Sequence, residues 1–157
     1  MLSADYIAGL VDGEGCFYVN IRPPDKRWPQ AKPSVETHFY LKMKKEEWVL
    51  LQMVKKFFGC GAVYYQKEKR SNHTACYRYE INSQRDIQGV LIPFFDRHPL
   101  KSSKRKDYSI FRKIALIIES KKHKTPSGLK QILQLKSQMN FGARRVREIR
   151  SLGGNAK

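Results

Sequence analysis

Hydrophobic positions along the chain switch between two periods, and the switches divide it into elements. From about Ser3 to Asp12, Tyr6, Ile7, Leu10 and Val11 recur at helical spacing, with Asp5, Ala8, Gly9 and Asp12 on the other side. CFYVNIR then alternates, setting Phe17, Val19 and Ile21 against Tyr18, Asn20 and Arg22. Pro23, Pro24, Pro29 and Pro33 follow in a loop, because proline cannot donate to a strand ladder. SVETHFYLKM resumes the alternation, with Val35, Thr37, Phe39, Leu41 and Met43 against Glu36, His38, Tyr40 and Lys42. KEEWVLLQMVKKFFG returns to a helical period through Trp48, Leu51 and Val54 and stops at Gly59.

The pattern then recurs. AVYYQKE and ACYRYEI predict a strand pair around KRSNH, with Tyr64, Gln66, Arg78 and Glu80 as polar teeth. DIQGVLIPFF predicts a short helix halted near His98-Pro99-Leu100. KDYSIFRKIALIIES predicts a longer amphipathic helix with Ile110, Ile114 and Ile117 in its core stripe. A Thr125-Pro126 start opens a further helix over TPSGLKQILQLKSQMN. Helix, two strands, helix, two strands and further helices make an α+β domain with one antiparallel sheet. The expected division is a single domain over 1–140 and a basic tail over 141–157.

Composition narrows the class. The chain has 157 residues, 41% hydrophobic and 29% charged, enough for one folded core. No apolar run approaches the roughly 18 residues that cross a membrane. The start carries Asp5 and no basic stretch, so neither a signal nor a transit peptide is expected. Three cysteines, Cys16, Cys60 and Cys76, predict reduced thiols in a protein that is not secreted. Thirty-one Lys and Arg against fourteen Asp and Glu give a formal charge of +17. A domain so basic repels itself until a polyanion neutralises it, and nucleic acid is the usual one. A membrane surface would call for one basic amphipathic helix, whereas this charge is spread along the chain.

One face of the sheet is apolar and belongs against the helices. The other carries Tyr18, Asn20, Arg22, Glu36, His38, Tyr40, Lys42, Tyr64, Gln66 and Arg78. It reads equally as a solvated face or as a ribbon-like surface meeting base edges in the major groove.

The first helix ends in Asp12-Gly13-Glu14-Gly15, two acids where the helix dipole is already negative. Its small side, Ala8, Gly9 and Asp12, permits close approach of another backbone, and the expected partner is the same helix of a second copy. Pairing such ends would bring Glu14 toward its mate, a repulsion that Mg²⁺ relieves. Glu14, the Gly13 carbonyl, phosphate and water are suitable hard ligands, and the arrangement suits in-line phosphodiester hydrolysis. The competing reading is a polar turn with left-handed glycine.

IAGLVDGEG, Ile7 to Gly15, resembles the signature of the LAGLIDADG homing endonucleases. VLIPFFDRHPLKSSKRKDYSIFRKI and KTPSGLKQILQLKSQMN resemble the C-terminal half of that family's domain, so the likeness covers most of the chain. It implies an αββαββα core with a saddle-shaped sheet, plus C-terminal helices. Single-motif members are homodimers that cut long, nearly palindromic double-stranded DNA sites. The resemblance puts the metal-binding acid on Glu14 with the Gly13 carbonyl, and a mainly structural acid on Asp12. The active-site lysine falls on Lys104, after Pro99-Leu100, while Lys101, Arg105 and Lys106 are expected to meet phosphates. Relatives often carry Gln near the end of the second strand. Met43 there cannot position water, which leaves Lys42, Lys44 or no residue in that role.

Mg²⁺ is thus the expected cofactor, with Ca²⁺ expected to bind without supporting cleavage. The alternative is an RNA-binding intron-splicing maturase of the same fold; a basic ribosomal-type RNA binder leaves Glu14 and the small-faced helix unexplained. Members occur in organelles, bacteria and archaea, so the expected location is an organelle that encodes the protein, or a prokaryotic cytoplasm. Elsewhere, Cys60, His73 and Cys76 lack a fourth zinc ligand, and Gly59 with Gly61 follows a helix rather than opening a dinucleotide site. His98 and His123 read as solvated or packing residues.

Overall fold

A computed structural model describes residues 1–67 and 74–139. The expected turn at KRSNH, with His73, and the tail over 141–157 lie outside the described residues. The order is α1 (Ala4–Glu14), β1 (Gly15–Arg22), β2 (Ser34–Lys44), α2 (Trp48–Phe58), β3 (Ala62–Gln66) and β4 (Cys76–Ile81). Short helices α3 (Gln84–Asp86) and α4 (Ile92–Arg97) follow, then α5 (Lys104–Glu119) and α6 (Pro126–Ser137). The expected αββαββα order with further helices is therefore present. The strands form one antiparallel sheet in the order β1-β2-β4-β3.

Local sequence explains most boundaries. The Ser3 hydroxyl accepts the Tyr6 amide 3.1 Å away and starts α1. Gly59, at φ 69°, ends α2 in the left-handed region. Thr125 accepts the Gly128 amide and Pro126 fills the first turn of α6. Between α3 and α4 the helix widens to a π turn over Ile87–Leu91, with the Ile92 amide reaching back to the Ile87 carbonyl. Pro93, just beyond, has no amide to offer the carbonyl of Gly89, so the usual register cannot run through this segment.

The helices cover one face of the sheet. Phe17, Val19, Phe39, Leu41, Tyr79 and Ile81 point into the core, meeting Ile7 and Val11 of α1, Leu51 and Val54 of α2, and Phe111 and Ile114 of α5. Phe17 sits at the centre, its ring 5.2–5.6 Å from those of Phe39, Phe95, Tyr108 and Phe111. Thr37 is also fully buried, and its hydroxyl accepts the Gln84 side-chain amide at 2.6 Å. Among the described residues no helix is long and apolar enough to cross a membrane.

Three expectations need correction. The helix expected to stop at Asp12 runs to Glu14, so Gly13 is helical and Glu14 occupies the last turn. Asp12–Gly15 is therefore no left-handed turn: positive φ among the described glycines occurs at Gly59 and Gly61. Tyr6 and Trp48, read as packing positions, are 46% and 45% exposed. Each lies off the stripe its helix buries, which centres on Ile7 and Val11 in α1 and on Leu51, Val54 and Phe58 in α2.

Candidate nucleic-acid interface and active site

The strand register puts all the predicted reading residues on the face away from the helices. Directly opposed pairs share a face, and Tyr18 opposes His38, Asn20 opposes Glu36, and Arg22 opposes Ser34. Across the other ladders Tyr40 opposes Glu80, Lys42 and Tyr64 both oppose Arg78, and Lys44 and Gln66 both oppose Cys76. Met43 is on the opposite side, packed against the core. The end of β2 thus offers Lys42 and Lys44 to the open face and withdraws the thioether between them.

This face carries a connected set of contacts. Arg22 pairs with Glu36, which holds the Glu36 carboxyl below its usual range. His38 lies between two carboxylates, Nε2 3.5 Å from Glu36 and Nδ1 2.6 Å from Glu80. Tyr64 donates to Glu80, and the Arg78 guanidinium stacks 3.6 Å from the centroid of the Tyr40 ring. Burial, aided by the Cys16 thiol, pushes the Tyr40 phenol up to about 12, so it stays a neutral donor. Lys136 of α6 reaches over the Tyr18 ring at 6.0 Å, which adds charge from a helix to the strand edge.

At one end of the face, α1 delivers its acids. The Asp12 carboxylate accepts the Lys101 amide at 3.0 and 3.1 Å, the Ser102 amide at 3.0 Å and the Ser102 hydroxyl at 2.7 Å. The same hydroxyl also reaches the Asp12 carbonyl at 3.3 Å. Asp12 thereby ties the loop before α5 to the end of α1, across about 90 residues of sequence. Burial alone would raise this carboxyl. The two amides, the Ser102 hydroxyl and the nearby Lys104 charge hold it below the ordinary value. Lys104, the first residue of α5, is half-buried, whereas Lys101, Arg105 and Lys106 are exposed.

Glu14 has the opposite character. Its carboxylate is exposed and makes no hydrogen bond or ion pair among the described residues. Gly15 opposes Leu41, where the β1–β2 ladder ends, and Glu14 is the last residue of α1 just before it. Across the sheet Lys42, Arg78 and Tyr64 share one row. Gly13 contributes one of the last four carbonyls of α1, which have no intrahelical donor.

The donor set fits a hard divalent cation. No cluster of three or more His, Cys, Asp or Glu occurs among the described residues, so these build no closed cage and no zinc-like site. A lone carboxylate beside a free carbonyl suits Mg²⁺, which keeps waters and takes its remaining ligands from phosphate.

Ala8, Gly9 and Asp12 line an open groove with Asp5, Arg97, His98, Pro99 and Lys101. A side-chain carbon added at Gly9 or Gly13 would meet nothing within 4 Å in this chain. The small face of α1 is therefore uncovered, although the carboxylate of Asp12 is spent inside its own chain.

Two contributors were not legible as site residues. Glu80 was visible as a polar tooth, two positions after Arg78, but its place between His38 and Tyr64 depends on strand pairing. Nothing in the sequence marks Ser102 as the partner of Asp12.

A profile of the LAGLIDADG endonuclease family matches residues 7–115. The chain belongs to this family. It is 29% identical over 135 residues to a probable intron-encoded endonuclease of Neurospora crassa, covering 86% of this chain and 27% of that one. The I-SmaMI homing endonuclease bound to cleaved DNA superposes with a TM-score of 0.77 at 31% identity, over 90% of this chain and 45% of that one. I-SmaMI has also been seen on an uncleaved DNA target with calcium ions. The homing endonuclease I-TnaI superposes with a TM-score of 0.77 at 35% identity, over 98% of this chain and 97% of its own. The chain thus spans about a quarter of the Neurospora protein and under half of I-SmaMI, but matches I-TnaI almost end to end.

Proposed function

We propose that this LAGLIDADG chain is one subunit of a homodimeric, divalent-metal-dependent endonuclease that cuts both strands of a long, nearly palindromic DNA site. The observation that carries the proposal is the junction at the end of α1. There, an unengaged Glu14 carboxylate and a loop held by Asp12 converge, with Lys104 following, at one end of a polar sheet face. The uncovered Ala8-Gly9 surface supports pairing of α1 with its copy, which would bring two Glu14 side chains to one axis. The end-to-end match with I-TnaI agrees with a unit of one domain.

In this reading Glu14 and the Gly13 carbonyl hold the metal, which, when bound, activates water and offsets phosphate charge. Lys104 presents an ammonium to the charge that develops on the phosphoryl oxygens. Lys42 and Lys44, on the open face at the end of β2, orient water in place of the glutamine found in relatives. Tyr18, Asn20, Arg22, Glu36, His38, Tyr40, Tyr64, Gln66 and Arg78 read the major groove, and the surrounding basic residues meet phosphates.

The test is selection of bound duplexes from a randomised library in Ca²⁺, then exchange into Mg²⁺, with Glu14→Gln in parallel. Both proteins should enrich the same near-palindromic sites, and only the parent should cut them. Cutting by Glu14→Gln would overturn the catalytic assignment. Preference for folded intron RNA over duplex at matched salt would turn the reading to a maturase.

A further inference from the structure

On the open face, Arg78 is fixed before any DNA arrives. Its guanidinium lies 3.6 Å from the centroid of the Tyr40 ring, and one terminal nitrogen is 3.5 Å from the Tyr64 hydroxyl. Tyr64 gives its own proton to Glu80, so its oxygen presents lone pairs toward Arg78 rather than a competing donor. Glu80 is itself held from the other side by His38 Nδ1 at 2.6 Å, and its side chain is only 10% exposed. The sequence of contacts is His38, Glu80, Tyr64, Arg78, Tyr40. Arg78 Nε is buried and unpaired, which leaves the terminal nitrogens as the edge available to a ligand.

A planar fork of donors, stacked on the Tyr40 ring, matches a base edge made only of acceptors. In the major groove that edge is guanine O6 and N7. We propose that Arg78 reads a guanine in each half-site and that Glu80 is its positioning residue, acting through Tyr64. The inference rests on the DNA-reading role given to this face above.

Selection of bound sites from a randomised duplex library in Ca²⁺, read at every base position, tests this with Arg78→Lys, Glu80→Gln and Tyr64→Phe beside the parent. The parent should enrich a G·C pair at two symmetric positions. Arg78→Lys keeps the charge and loses the fork, so preference at that pair should fall roughly 10–100-fold while other positions hold. Glu80→Gln should weaken the same pair by a smaller factor, and Tyr64→Phe should weaken it together with any position that Tyr64 itself reads.

An unchanged preference with Arg78→Lys would overturn the guanine assignment while leaving the DNA-reading face intact. Even relaxation at all positions with Glu80→Gln, or no change, would overturn its positioning role. No enriched site for the parent would remove the DNA-reading role itself, and this inference with it.

Discussion

Gly15 marks the place where α1 must become β1 within a single residue. A side-chain carbon there would stand 2.5 Å from Val11 Cγ1 and 2.8 Å from the Val11 carbonyl oxygen, and the backbone oxygen cannot move aside. Gly15→Ala should therefore cost about 1–3 kcal/mol in urea unfolding, and cleavage should fall further because Glu14 is displaced. Asp12, two residues before Glu14, works differently. Its folded carboxyl lies below the ordinary aspartate value of about 3.9, so its anchoring contributes fully above that pH and is lost as pH falls through the lower folded value. Asp12→Asn should remove that acid-side dependence from the stability profile, lower stability by about 1–3 kcal/mol at neutral pH, and reduce cleavage by loosening Lys104. Equal pH profiles for the two proteins below pH 4 would refute the anchoring role.

At the level of elements, alternation in the sequence carried most of the architecture. One residue of slip in a strand exchanges its faces, and the clean period of CFYVNIR and SVETHFYLKM left no ambiguity about which side was apolar. The period could not give the strand order β1-β2-β4-β3, because pairing between β2 and β4 joins segments separated by α2 and β3. Nor did it show the π turn before Pro93, which depends on a missing amide. Phe17 joins these elements, touching rings from β2, α4 and α5. Phe17→Ala should cost about 3–5 kcal/mol, a large part of a typical domain's stability, and chemical denaturation should register it as an earlier midpoint.

At the scale of the whole molecule, the proposed homodimer depends on the uncovered face of α1. A side-chain carbon at Gly9 meets nothing within 4 Å in its own chain, and Gly9→Leu replaces a poor helix former and points into an open groove, so subunit stability should hold or rise by up to about 1 kcal/mol. Light scattering should nevertheless find a monomer, and cleavage of both strands should be lost. A dimer of normal mass with Gly9→Leu would move the interface elsewhere. With a formal charge of +17, duplex affinity should also fall steeply with salt. Neutralising an exposed residue expected to meet phosphate, as in Arg105→Ala, should flatten the log–log slope by about one unit without changing site preference.

The sequence by itself determined the class of the domain, the polar composition of one sheet face, and the acidic end of a small-faced helix. Those features are local: each follows from spacing within one segment, and the family resemblance rests on the motif from Ile7 to Gly15 together with two further blocks in order. Tertiary structure decided which distant groups meet. Only folding brings the Ser102 hydroxyl to Asp12, sets Glu80 between His38 and Tyr64, and leaves Glu14 unengaged while its neighbour is spent on a loop. The physical reason is that hydrogen bonds and stacking act over a few ångströms, and no periodicity in a chain records which residues far apart in sequence will be brought that close.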